Sequence, residues 1–147
     1  MNDTDWLARA SGDDILEAAR HDQLDVARAQ AELLRRHDAE TCYRFARDIM
    51  TADIPALESC VIQHGTTELC LRFARDIVGA VNSRLQTRIL ESGSAEDCFR
   101  FAEDIFNADL ALLRKRIASL GDTEMLARFD EAFPPGTALW PPPVVEH

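Results

Sequence analysis

The residues of this chain best suited to chemistry are its four cysteines and four histidines. Cys42, Cys70 and Cys98 recur at a step of 28 residues, and Cys60 stands apart. Zinc sites use short cysteine pairs accompanied by histidines, and this spacing offers neither. On equivalent helices about 8–10 Å apart, the three also lie beyond the roughly 7 Å Cα separation that a disulfide tolerates. They are therefore expected to be small core hydrophobes, with Cys60 packing at the margin of its own stripe. His21, His37, His64 and His147 fall near helix ends or the terminus, in no zinc spacing and beside no nucleophile. For His64, next to Gly65, attraction to a helix C-terminus is the simpler role. The pairs Arg44/Asp48, Arg72/Asp76 and Arg100/Asp104 stand at i and i+4. Such spacing predicts a ladder of exposed ion pairs, each worth about a few tenths of a kcal/mol, rather than a charged active site. A glycine-rich phosphate loop is absent from the sequence, and no carboxylate pair stands out. The expectation is a protein that is not an enzyme, with no catalytic residue, metal or cofactor.

The same residues are set out by an internal repeat. The stretch Cys42-Tyr43-Arg44-Phe45-Ala46-Arg47-Asp48-Ile49 returns at 70–77 and again at 98–105, 28 residues apart each time. Gly65, Gly93 and Gly121 keep the step, as do Glu40, Glu68, Glu96 and Glu124. Clear units cover 38–65, 66–93 and 94–121, and weaker copies extend the ladder to about 13–133. Each unit predicts two helices. The first opens at Asp38, Thr66, Ser94 or Asp122, whose side chains can accept hydrogen bonds from free first-turn amides. Within it Cys42, Phe45, Ala46 and Ile49 form one apolar stripe. A break near 51–53 or 107–109 precedes the second helix, which carries Ile54, Leu57, Val61 and Ile62, with Pro55 in its first turn. Glycine is expected to end it in the left-handed conformation, and His37 takes the glycine's place before the first clear unit.

One such hairpin cannot bury its stripe alone, so the units must stack. The expected fold is all-α, a short α-solenoid of stacked two-helix repeats with a cap at each end. Trp6 and Leu7 begin an irregular N-terminal helix that runs on into 13–21, and Phe129 and Phe133 close the other end. Residues 1–133 are then one helical-repeat domain and 134–147 a proline-rich tail. In that tail Trp140 either folds back over the last hairpin or remains a free peptide-like segment.

Composition narrows the function. Of 147 residues, 46% are hydrophobic and 29% charged, with 16 basic against 26 acidic side chains and a net charge of −10. Clustered Lys and Arg are needed to hold phosphates, so a nucleic-acid partner is not expected, nor is an anionic membrane surface. No apolar run reaches the roughly 20 residues of a membrane span, and the opening residues do not resemble a signal peptide. A cytoplasmic location is the resulting expectation. The acid gathers at both ends, with −3 over residues 1–37, −4 over 122–147 and +1 over 66–93.

What remains for function is surface. Tyr43, Leu71 and Phe99 stand at the edge of the stripe, with Arg47, Arg75 and Glu103 on their outer side. Met50, Val78 and Phe106 fall on the same edge further along. Two readings stay open: these side chains pack against neighbouring second helices, or they form a partly exposed apolar ridge for a protein partner. In the second reading Tyr43 and Phe99 are anchors, while Asp48, Asp53, Glu103 and Asp104 steer a basic partner.

The Cys-x-x-Phe-Ala-x-Asp-Ile unit and its following helix resemble short helical repeats of bacterial and phage open reading frames. In build the repeat is similar to tetratricopeptide and HEAT solenoids, although a period of 28 is shorter than either. The resemblance implies a protein-binding scaffold and transfers no catalytic residue. Small acidic proteins of this build also resemble immunity proteins, which neutralise a toxin domain that is often basic. The expected function is therefore a non-catalytic interaction module of the immunity or inhibitor kind. The alternative is a passive adaptor holding a peptide in its groove.

Overall fold

The computed structural model describes residues 3–134, and within them every regular element is an α-helix. The expected all-α helical-repeat fold is present. The backbone divides into two compact units, Met1–Ala80 and Val81–His147. The first unit holds α1 (Asp3–Arg9), α2 (Gly12–Arg20), α3 (Val26–Arg35), α4 (Ala39–Asp48), α5 (Ile54–His64) and α6 (Thr67–Asp76). The second holds α7 (Asn82–Ser92), α8 (Ala95–Asp104), α9 (Leu110–Ser119) and α10 (Thr123–Ala132). In the first unit α4 packs between α2 and α6, and α5 lies against α3. In the second, α8 packs on α10 and α7 on α9. First helices thus form one layer and second helices the other, within each unit.

Helix starts follow the sequence closely. Asp38, Thr66, Ser94 and Asp122 are all N-caps, and each accepts from the amide three residues on. Asp25, Asp53 and Asp109 cap second helices in the same way. At the equivalent position α7 starts from Val81 without a side-chain cap. The stripe residues are interior: Phe45, Phe73 and Phe101 are fully buried, with Phe129 nearly so, as are Cys42, Cys70 and Cys98. Burial pushes the Cys98 thiol up to about 11, so it stays protonated and behaves as a small hydrophobe.

A tie between successive second helices was not anticipated. Gln30 accepts from the Asp53 amide at 2.8 Å, and Gln86 accepts from the Asp109 amide at the same distance. Each bond satisfies an amide that a helix start leaves without an intrahelical partner. Glu58 holds the same repeat position and is fully buried.

The structure corrects three expectations. The N-terminal segment is two helices, because Ser11 caps α2 through the Asp14 amide and breaks the chain after α1. Arg36 reaches back to accept this arrangement, donating to the Leu7 and Ala10 carbonyls at 2.7 Å. Its partner Glu32, held by Arg35 and Arg36, has its carboxyl lowered to about 2. Secondly, Gly65 and Gly93 are extended, with φ of −89° and −78°, and only Gly121 is left-handed at +76°. The first two are needed for space: a Cβ would stand 2.6 Å from the Val61 or Ile89 carbonyl oxygen. His37, by contrast, does adopt a left-handed φ of 56°, and its ring stacks on His64 at 4.1 Å. Thirdly, the i, i+4 ladder is replaced by other pairs. Arg44 bonds Asp13, Arg72 meets Glu68 and Glu40, and Asp48 and Asp76 are taken by their neighbours Arg47 and Arg75. The expected placement of Trp140 lies outside the described residues.

Truncating the centre of the stripe tests this packing. Phe73→Ala is expected to lower unfolding free energy by about 3–5 kcal/mol, the usual cost of emptying a buried aromatic site. Denaturant titration reads it, and a loss below about 1 kcal/mol contradicts the interior role.

Candidate interaction surface

Each first helix ends in the same way. Ile49, Ile77 and Ile105 are C-caps with extended backbone, φ near −106°, −100° and −108°. A branched side chain at Cβ suits that conformation. Their carbonyls then accept from the amides of Ala52, Ala80 and Ala108 at 3.2–3.3 Å, closing a four-residue turn. Isoleucine and alanine anchor the turn: Ile49, Ile77, Ile105 and Ala108 are buried and Ala52 and Ala80 half-buried. The second residue of the turn sits at its outer corner. That residue is Met50, Val78 or Phe106, and these are 100%, 94% and 100% exposed. Gly79, third in its turn, takes a φ of +93°.

The apolar ridge expected from Tyr43, Leu71 and Phe99 is not at the surface. These residues are 4%, 4% and 7% exposed. Their variation reflects what each one packs against. Tyr43 leans on Phe73 with ring centroids 6.5 Å apart, and its hydroxyl donates to Asp76. Phe99 meets Phe129 and Phe133 edge-on at 6.3 and 6.4 Å, and those two rings lie 4.9 Å apart. The anchors are therefore structural, and packing of the edge column is what the molecule shows.

The charged candidates divide into two groups. Arg47 lies over the Tyr43 ring at 5.6 Å and forks onto Asp48, which also has Arg20 at 4.0 Å. Arg75 binds Asp76 in the same manner. The Arg47 guanidinium holds the Asp48 carboxyl below its ordinary value, against the opposing effect of burial. Arg75, aided by the Tyr43 hydroxyl, does so for Asp76. Asp53 caps the α5 start through the Ala56 amide. Glu103 and Asp104 differ: both are exposed and neither side chain has a partner among the described residues. A shallow groove of about 280 Å³ adjoins the first turn, lined by Ala19, Arg20, Asp22, Val26, Asp48, Ile49, Met50 and Thr51. A second groove of about 210 Å³ is lined by Leu34, His37, Ala56, Ser59, Cys60, Gln63 and His64, and no group of three metal-binding side chains occurs among the described residues.

The exposed apolar side chains of these repeats are thus Met50, Val78 and Phe106, and not Tyr43, Leu71 and Phe99 as expected. The signal that separates them is position relative to the helix end. Tyr43 lies inside a helical turn, where its neighbours cover it. Met50 follows the isoleucine cap, where the chain reverses and nothing can cover it.

The Tyr43–Asp76–Arg75 cluster carries a pH signature. Asp76 is lowered in the folded chain from an ordinary value of 3.8. Its stabilisation is therefore complete above that value and is lost as pH falls through the folded one. In Asp76→Asn the stability deficit measured near neutral pH should shrink on acidification, as followed by denaturant titration from pH 7 to pH 2. A deficit that stays constant contradicts the assignment. Comparison of this chain with family models, curated proteins and solved structures finds no match.

Proposed function

We propose that this chain is a non-catalytic protein-binding module of the inhibitor or immunity kind, which covers a basic protein partner. The observation that carries the reading is the set of three apolar side chains exposed at one repeat position, Met50, Val78 and Phe106. Turn corners ordinarily take polar residues, and single exposed hydrophobics need no explanation. Repetition of full exposure at one position of the turn is different. It gives each turn, two in the first unit and one in the second, an apolar contact whose size varies. The net charge of −10 supports a basic partner, because opposite charge speeds and orients encounter. No helix among the described residues is long and apolar enough to cross a membrane. The groove beside Met50, about 280 Å³, falls just under the usual range for a small-molecule pocket and suits a single side chain rather than a length of peptide.

The test is kinetic. Basic proteins encoded beside this chain are immobilised, and the chain is passed over them by surface plasmon resonance at two salt concentrations. One-to-one binding is expected, with association slowed by salt. Replacing Met50, Val78 and Phe106 together by serine is expected to speed dissociation about tenfold or more. An unchanged dissociation rate, or no salt effect on association, contradicts the proposal.

A further inference from the structure

In the 38–65 repeat both helices of the hairpin carry a cysteine, Cys42 on α4 and Cys60 on α5. The other two clear units keep the first cysteine, as Cys70 and Cys98, and replace the second by Arg88 and Arg116. Arg116 shows where that second position points. Its Nη2 donates to the Gly93 carbonyl at 3.3 Å, just ahead of the α8 N-cap, and its charge acts on the Cys98 thiol. The matching neighbour of Cys60 is His37, just ahead of the α4 N-cap, and the two line one groove of about 210 Å³. The second position thus lies over the start of the first helix, within reach of the first cysteine. In the 38–65 hairpin that contact is sulfur to sulfur: the Cys42 S–H donates to the Cys60 sulfur. Both thiols are free, Cys42 fully buried and Cys60 6% exposed at the groove wall. One sulfur is interior and the other adjoins an opening to solvent.

We propose that Cys42 and Cys60 form a redox site, a dithiol that a peroxide converts to a disulfide joining α4 to α5. Burial pushes both thiols up from their ordinary value, and at Cys60 the Cys42 S–H works against that rise. Cys60 is therefore the sulfur that ionises first and meets the oxidant, and Cys42 the one that resolves it. The Cys60 thiolate attacks one peroxide oxygen. An S–O bond forms, the O–O bond breaks, and hydroxide leaves and takes up the proton that Cys60 gave up. The Cys42 sulfur then attacks the Cys60 sulfur. An S–S bond forms, the S–O bond breaks, and the oxygen departs as water with the Cys42 proton. Two thiols are oxidised and one peroxide is reduced to two waters. Helices α4 and α5 flank the turn that carries Met50, so the bond closes a covalent loop around that turn. The site stands independently of the partner-binding reading.

The experiment uses the full chain, reduced and then freed of reductant. It is treated with a small excess of hydrogen peroxide, alkylated, and digested with trypsin and a glutamate-specific protease for mass mapping. Joined peptides carrying Cys42 and Cys60 are expected, with two of the four free thiols lost, helicity by circular dichroism kept, and full reversal by dithiothreitol. Cys60→Ser should abolish the bond. Cys42→Ala should leave a sulfenic acid at Cys60, which dimedone traps. The peptide map of the parent chain decides the point even where a variant fails to fold. Four thiols still free after treatment would overturn the proposal. So would a bond to Cys70 or Cys98, a bond between chains, or a Cys42–Cys60 bond that forms only in guanidinium.

Discussion

Four phenylalanines, Phe45, Phe73, Phe101 and Phe129, recur every 28 residues and are all essentially removed from water. The rest of the structure depends on that burial. A helix of about ten residues is not stable on its own in water, so each hairpin persists only because its stripe is shared with a neighbour. Every other repeated feature can be read as a means of bringing the next phenylalanine into place. The acidic, serine and threonine caps start each helix at a fixed distance from it. The isoleucine one turn beyond it ends the helix and turns the chain. The glutamines at 30 and 86 fix where the following second helix begins.

Because the interior is so constrained, the outer corner of each turn is the place where residue type is free to vary. Methionine, valine and phenylalanine occupy it, and they are bare. The neighbouring charges vary in step. Arg47 and Arg75 neutralise the helix-ending aspartates of the first unit, whereas Glu103 leaves the second unit's turn acidic. On the proposed reading, such a framework separates folding from recognition: stripe, caps and turn anchors carry the first, and the corners with their flanking charges would carry the second.

The repeat, the two-helix unit and the caps of the first helices were legible in the sequence because they depend on local chemistry repeated at a fixed step, whereas the caps at Asp25, Asp53 and Asp109 were not read. Cap side chains bond amides three residues away, and stripe spacing is a property of one helix. The errors arose where the answer depended on what a residue meets from elsewhere. Tyr43 looks like a surface aromatic until Phe73 and Asp76 are placed beside it. Gly65 suggests left-handed backbone, yet its need is clearance from the Val61 carbonyl. Arg44 pairs with Asp13, 31 residues back, where the spacing pointed to Asp48. Gln30, Glu58 and Gln86 recur at the repeat step, but the amides that Gln30 and Gln86 serve could be assigned only once successive helices were in position.

The claim at the centre of this account is that the corner residues are not needed for folding and serve recognition instead. It is tested most directly by the stability of the chain carrying Met50→Ser, Val78→Ser and Phe106→Ser together, without any partner present. Guanidinium unfolding followed by circular dichroism should give a midpoint and slope matching the parent, with each change within about 0.5 kcal/mol as for ordinary surface positions. A loss of several kcal/mol would show that these side chains are held in the chain's own packing, and would contradict the claim.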